Sequence, residues 1–398
     1  MSIFLDLAVL ALMAVLLWKG VQMGHVMVIC AVLFGLVHRV HPLELAKLLF
    51  ASLLSPSTLT VLLTLVFITM LESVMREAGL QNSLVEGLKE ASGNDRFTLA
   101  SLPAVIGLLP SAGGARFSAP LVAEAAKGVA ANSEQKAAIN YYYRHIFEYF
   151  LPVYPATLLA VDVLGIPMSR YMALMFPFTV VSTLAGFFLL KKIPAAPKQA
   201  ALNSSLAKKK VLVGLLPITA VVVLVVFFNV SILLALPLVT AGTFFYYRLS
   251  GRLILPILKQ SLAWRLLYMV FAALYLRDVL LNSGSIEQMT AYFNSLGFGH
   301  AFFAVILPFI IGFLTGFPIP AVTIVLPLVK AVASPDNLLV LAALSMVANI
   351  SGTMVTPLHL CFIMSIEHFS ADFAGSLRKV FLPQGLVLLS AFLYFCLF

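Results

Sequence analysis

The sequence predicts an all-α polytopic membrane protein of two inverted repeats, each with five transmembrane helices, a re-entrant helical hairpin and a broken helix. Three observations predict it. Of 398 residues, 62% are hydrophobic and 10% charged, against roughly 45–50% and 25% in soluble domains. Lys and Arg gather at the ends of apolar runs on one side. Glycines and prolines of the first half recur in the second at an offset of about 205 positions.

The apolar runs give the elements in order. Runs near 2–18, 22–38, 57–74, 137–151 with 156–165, and 171–190 are long enough, singly or paired, to cross a ~30 Å hydrocarbon core. The stretch KKIPAAPKQAALNSSLAKKK follows and reads as a polar linker. Runs near 211–228, 230–247, 266–282, 337–369 and 380–398 make five more. The expected organisation is a first repeat over 1–192, a basic cytoplasmic linker over 193–210, and a second repeat over 211–398. The N-terminus lacks a basic region and a small-residue cleavage site, so its apolar run is expected to stay as the first span.

Charge sets the sidedness. With the linker inside, Lys19, Arg76, Lys89, Arg96, Arg248, Arg252, Lys259, Arg265, Arg378 and Lys379 all fall inside, as the positive-inside rule requires. Both termini then face outward, the expected location being a multi-pass protein of the cell inner membrane. The segment HRVHPLELAK at 38–47 is the exception, and reads as an amphipathic helix at the outer surface. The net charge of +9 is spread among the apolar runs, not gathered in one stripe, which argues against a nucleic-acid partner. Cys30, Cys361 and Cys396 are far apart, so neither a disulfide framework nor a metal site is expected.

The recurrence pairs Gly79 with Gly284, Pro103 with Pro308, Gly107 with Gly312 and Pro152 with Pro357. Chance supplies about one such identity at this composition. An odd number of spans per half makes the copies face opposite ways, as in many secondary transporters. The stretches 97–132 and 300–333 are apolar, interrupted by LPSAGGARFSAP and LTGFPIPAVTIVLP, and too short to cross twice. Each reads as a re-entrant hairpin. FLPVYP at 150–155 and VTPLHL at 355–360 break their helices at matched places, and such backbone is tolerated at membrane depth only where protein or a wet cavity satisfies it.

GGARFSAP at 113–120, YYRHIFEYFLPVYP at 142–155 and TPLHLCFIMSIEHF at 356–369 resemble the motifs of the family called domain of unknown function 401. Val153 and Thr356 are mild departures from its pattern, and the resemblance spans nearly the whole chain. It implies the wider ion transporter superfamily of elevator-type carriers, in which two hairpins and two broken helices slide as a unit against a scaffold. It names no substrate.

Single residues then carry the chemistry. Arg116 is an expensive intramembrane charge, read either as an anchor for a substrate carboxylate or as a structural or interfacial charge. Ser111, Gly113, Gly114 and Ser118 beside it, and Thr315 and Gly316 in the second hairpin, complete the expected solute site with Arg144, His145 and His359. Arg144 and Glu148, four apart, can pair on one helix face. They read as a structural clamp or, with His145, as a proton relay. His359 is a hydrogen-bond donor, a proton site or a structural histidine; as a metal ligand it is a weak idea, because Cys361 points elsewhere on a helix. Glu148, Asn349, Ser351, Thr353 and Thr356 are the coupling-ion candidates, the hydroxyls competing with bonds to their own backbone. The expectation is a secondary carrier of a small organic anion, coupled to Na+ or H+, without another cofactor. It sits in the lipid bilayer, with homodimerisation a further expectation. No Gly-x-x-x-x-Gly-Lys-Ser/Thr, Gly-x-Ser-x-Gly or His-Glu-x-x-His pattern occurs, so ATP-driven transport and hydrolase chemistry lack a foothold. A channel or an intramembrane enzyme of other chemistry is the alternative.

Overall fold

The computed structural model describes residues 2–92, 96–108, 115–127, 129–191, 193, 204–295 and 302–397. Regular structure among them is helical. The first half holds α1 (Ser2–Trp18), α2 (Met23–Val37), α3 (Pro42–Leu54), α4 (Pro56–Glu77), α5 (Leu80–Ser92), α6 (Arg96–Gly107), α7 (Ala115–Ala125), α8 (Ser133–Arg144), α9 (Pro155–Leu164) and α10 (Met168–Leu190). The second holds α11 (Ser204–Val226), α12 (Ile232–Tyr246), α13 (Ile254–Ser261), α14 (Trp264–Asn282), α15 (Ser285–Ser295), α16 (Leu307–Thr315), α17 (Pro318–Val332), α18 (Leu338–Met354), α19 (Leu360–Phe369) and α20 (Phe373–Leu397). A π-helical turn, Phe302–Ile306, leads into α16.

Helices α4, α10, α11 and α20 are long and apolar enough to cross a membrane by themselves, and α14 joins them if α15, bent away by 68°, is counted with it. The other apolar helices are shorter, α2 and α12 having 15 residues each. Phe227, Phe245 and Leu212 are 75%, 75% and 69% exposed, a surface that lipid covers and water would not tolerate. By contrast, α18 is buried from Val340 to Met354 and α17 from Pro318 to Val329, so these two helices form the interior.

Neighbours divide the helices into two bundles. In one, α2 packs on α14 and α4 on α12, with α3 against α14 and α13 against α4. In the other, α6 packs on α8 and α16 on α18, with α7 against α19, α17 against α9, and α10 against α20. Each of these pairings has its counterpart when the halves are exchanged. The bundles meet asymmetrically: α17 rests on α14 and α15, whereas among the described residues α7 makes no comparable contact with α4 and α5.

Local chemistry explains the boundaries. Ser55 caps α4 by accepting from the Thr58 N–H, with Pro56 at the first helical position. Asn132 and Gln135 form a capping box at the start of α8. Gly79 and Gly284 turn the chain out of α4 and α14 at φ +70° and +72°. A Cβ on Gly79 would meet nothing within 4 Å, so the cost of Gly79→Ala is conformational alone. It is expected to be about 1 kcal/mol, read as a small drop in the melting temperature of the purified variant.

The Lys-rich linker is shorter than the sequence implies. Helix α11 begins at Ser204, so the last seven residues of the expected 193–210 linker are helical. The Lys210 Nζ lies 2.7 Å from Glu90 and 3.3 Å from Glu86 of α5. Pairing across α5 and α11 lets the basic run continue as helix. The amphipathic helix expected near 38–47 extends to Leu54, with Leu45 and Ser52 on its buried face.

Candidate functional site

The two helix breaks face each other in the interior of the second bundle. Helix α8 stops at Arg144, residues 145–150 are turns, and α9 starts at Pro155 behind Tyr154. Helix α18 stops at Met354, and α19 starts at Leu360 with His359 as its N-cap residue. Pro152 and Pro357 lie in the two breaks, where the missing N–H and the ring prevent an uninterrupted helix.

Histidines meet where the breaks meet. His145 Nε2 and His359 Nε2 are 3.2 Å apart, both residues being buried. His145 Nδ1 lies 2.7 Å from the Tyr141 carbonyl, an acceptor, so Nδ1 carries a proton and Nε2 of the neutral ring presents its lone pair. The Tyr141 ring stands edge-on to both imidazoles, with centroids at 5.0 and 5.2 Å. Its hydroxyl donates to the Met354 carbonyl at 3.1 Å, tying the end of α18 to α8. Cys361 joins the pair: one ligand atom from each of His145, His359 and Cys361 lies within 4.8 Å of the others. The sequence reading that Cys361 points away from His359 is thereby corrected. It assumed helical spacing between them, but His359 is a cap residue outside the helix.

The pairing of Arg144 with Glu148 along one helix face is corrected for a similar reason. The helix ends at Arg144, leaving buried Glu148 in the following turns, though within electrostatic reach of the guanidinium. Arg144 Nη1 donates to the Ile106 carbonyl at 3.2 Å, and the Tyr154 hydroxyl donates to the Gly107 carbonyl. Both groups satisfy carbonyls left open at the end of α6, next to the expected first hairpin turn. Gly107 is pressed against the Arg144 carbonyl with no room for a Cβ.

Ser111, Gly113 and Gly114 of that turn lie outside the described residues, as does the side chain of Arg116 in the first turn of α7. Ser118 is buried on α7 with its hydroxyl 3.5 Å from the Ala115 carbonyl. In the second hairpin, Gly316 adopts φ +71° as the C-cap of α16. The Thr315 hydroxyl lies 2.7 Å from the Ile311 carbonyl and 3.0 Å from that of Phe317, so it is engaged with the backbone of the turn it occupies.

The polar residues of α18 do not form one cluster. Ser351 accepts from Gln384 Nε2 of α20 at 2.8 Å, while Asn349 and Thr353 face α16. Thr356 ties its break to the hairpin, donating to the Phe313 carbonyl at 2.5 Å and accepting from the Leu358 N–H at 3.2 Å. Asn349 Nδ2 donates to the Pro318 carbonyl at 2.9 Å. Asn349 Oδ1 and Thr353 Oγ1 are buried without a hydrogen-bond partner. Both come within 2.9 Å of the point where a Cβ on Gly312 would sit. At the offset of 205, Gly312, Asn349 and Thr353 correspond to Gly107, Arg144 and Glu148: polar oxygens stand in one half where charges stand in the other.

Sequence reasoning missed Tyr141, Tyr149 and Gln384. Gln384 Nε2 also donates to the Tyr149 hydroxyl at 2.8 Å. Three consecutive tyrosines at 141–143, all buried, were the available signal, since each buried hydroxyl calls for a partner. A cavity of about 350 Å³ lined by Thr60, Thr64, Asp162 and Asn229 lies apart from this site, between α4, α9 and the α11–α12 turn.

A model of a protein family of unknown function, DUF401, matches residues 1–397. No curated protein matches the chain. Among solved structures, the fold is similar to that of the YdaH transporter of Alcanivorax borkumensis, with a TM-score of 0.60 and 14% identity over 89% of this chain and 88% of that one.

Proposed function

The chain belongs to the DUF401 family, and from that premise we propose that it is a secondary active carrier of a small organic anion, coupled to Na+ or H+. The observation that carries the proposal is the meeting of two broken helices at His145 and His359, beside the Thr315–Gly316 turn between α16 and α17 and inside one of two bundles. Helix breaks at membrane depth build solute sites at the interface of repeats. A protein of similar fold being a transporter supports the reading.

In this reading, residues 1–192 and 211–398 are inverted repeats in an inner membrane, with both termini outward. The bundle of α6–α10 with α16–α20 carries the solute past the bundle of α1–α5 with α11–α15, and the latter provides a face for homodimerisation. The unequal seating of α17 and α7 supports this, because alternating access needs one hairpin docked and the other released. The anion is held by the first hairpin, with Ser111, Gly113, Gly114, Arg116 and Ser118, together with Arg144, His145, His359 and the Thr315–Gly316 turn. For the coupling ion the geometry favours Asn349 Oδ1 and Thr353 Oγ1 over Ser351 and Thr356, whose hydroxyls are engaged elsewhere. Glu148 is the corresponding proton site of the first half.

A thermal-shift screen of the purified protein against organic anions, with and without Na+ and at two pH values, finds the solute, because binding to the folded state raises stability by mass action. Reconstituted into liposomes, the protein is expected to show saturable uptake and counterflow of that anion, driven by a Na+ or pH gradient. Arg116→Ala is expected to abolish it. Flux that neither saturates nor exchanges would replace the carrier with a channel, and a chemically altered product would make it an enzyme.

A further inference from the structure

We propose that His145, His359 and Cys361 form a metal-binding site for a borderline-soft ion, Zn2+ in the first place. Two imidazoles and a thiolate are the donor set that such ions select over Mg2+ or Ca2+. The inference goes beyond the carrier reading and holds whether or not the chain transports anything.

The geometry suits an ion. The two Nε2 atoms, 3.2 Å apart, subtend roughly 100° at an ion about 2.05 Å from each, close to a tetrahedral angle. The His145 ring is held from behind. The Tyr141 carbonyl fixes the proton of His145 on Nδ1, the outer hydrogen bond that orients metal-ligating histidines. The backbone of Thr353 lies within reach of the His359 ring, and a proton carried on Nδ1, which no side chain occupies, leaves the Nε2 lone pair for the ion. The imidazole planes cross at 87°, so the two rings approach each other without stacking. Cys361 completes a triangle of donors within 4.8 Å of one another, and closing it to bonding distances needs a side-chain movement of about 1 Å.

Binding is an exchange of a proton for the ion. The Cys361 S–H bond breaks, its proton leaves to the buffer, and a Zn–S bond forms beside two Zn–N bonds. Three protein ligands leave a fourth position for water or an anion, as in open zinc sites.

The test uses the full-length protein, purified metal-free in detergent and titrated with Co2+ as a spectroscopic stand-in and then with Zn2+. The expected result is one Co2+ per chain with a thiolate-to-cobalt charge-transfer absorption, displaced by Zn2+ but not by Mg2+, with release of one proton per ion. Cys361→Ser should remove the absorption. His359→Gln should weaken binding by more than about 100-fold, the most that losing an outer partner alone costs. Cys396→Ser should bind as the wild type does. In case the site variants fail to fold, Cys361 is also alkylated in a Cys30→Ala, Cys396→Ser background, where Zn2+ should block the reaction and Mg2+ should not. Absence of the thiolate absorption in the wild type, or alkylation of Cys361 unaffected by Zn2+, overturns the proposal.

Discussion

Gly107→Ala is expected to cost about 3 kcal/mol or more, the upper end of what overpacking costs. The added methyl would overlap the Arg144 carbonyl oxygen, with the carbonyl carbon at 2.9 Å and Cα at 3.2 Å. The obstacle is backbone and cannot rotate away. Either α6 and α8 separate, exposing the Ile106 and Gly107 carbonyls that Arg144 and Tyr154 now satisfy, or the end of α8 shifts and takes His145 with it. The control is a glycine in open space. Gly242 in α12 and Gly385 in α20 have nothing within 4 Å of an added Cβ, so Gly242→Ala and Gly385→Ala should be neutral or stabilising by up to about 1 kcal/mol. Thermal unfolding of the three purified variants makes the comparison. Wild-type stability in Gly107→Ala would mean that α6 and α8 do not touch there.

Arg277→Met is the second large effect expected, at about 3 kcal/mol, the lower end for breaking a buried pair. Arg277 of α14 bridges Asp162 of α9, in the other bundle, and Asp278 beside it, the latter at 2.8 Å. The Ser52 hydroxyl donates to Asp278 at 2.6 Å and Ser57 donates to Asp162. Removing the guanidinium leaves two carboxylates without their shared cation, with the Ser52 and Ser57 hydroxyls still donating to them. Asp162→Asn removes one of the two charges, so the double variant should recover part of the loss, and a double-mutant cycle measures that coupling. Single losses that simply add in the double variant would mean that the bridge between the bundles contributes nothing.

How far the sequence carries is visible in these residues. Pro152 and Pro357 were legible as breaks because a missing N–H acts locally, whatever surrounds it. The hairpin turn at Thr315–Gly316 was legible for the same reason. Helices α5 and α15 were not, because their polar faces hide the periodic apolar signal that marks a span. Readings that extended helical spacing across a break failed: a shared helix face for Arg144 and Glu148, and Cys361 set against His359. A helix that ends between two residues cancels the 100° rule that relates them. Asn349 and Ser351 failed in the opposite sense. They share an unbroken helix, and two residues apart on it they face different neighbours, which grouping by sequence proximity overlooked. The link from Arg277 to Asp162 had no local signal, since tertiary packing alone brings α14 and α9 together.

The shortness of α2 and α12 bears on the bilayer itself. At 15 residues each, they rise about 22 Å, well short of the ~30 Å hydrocarbon thickness. Leu234, Leu238 and Phe245 nonetheless give α12 an apolar outer face. Where acyl chains meet this face, a hydrocarbon layer thicker than the helix costs a fraction of a kcal/mol per Å of mismatch. The longer α4 and α11 of the same bundle match that thickness, so the thickness of the host membrane bears chiefly on the side that α2 and α12 form.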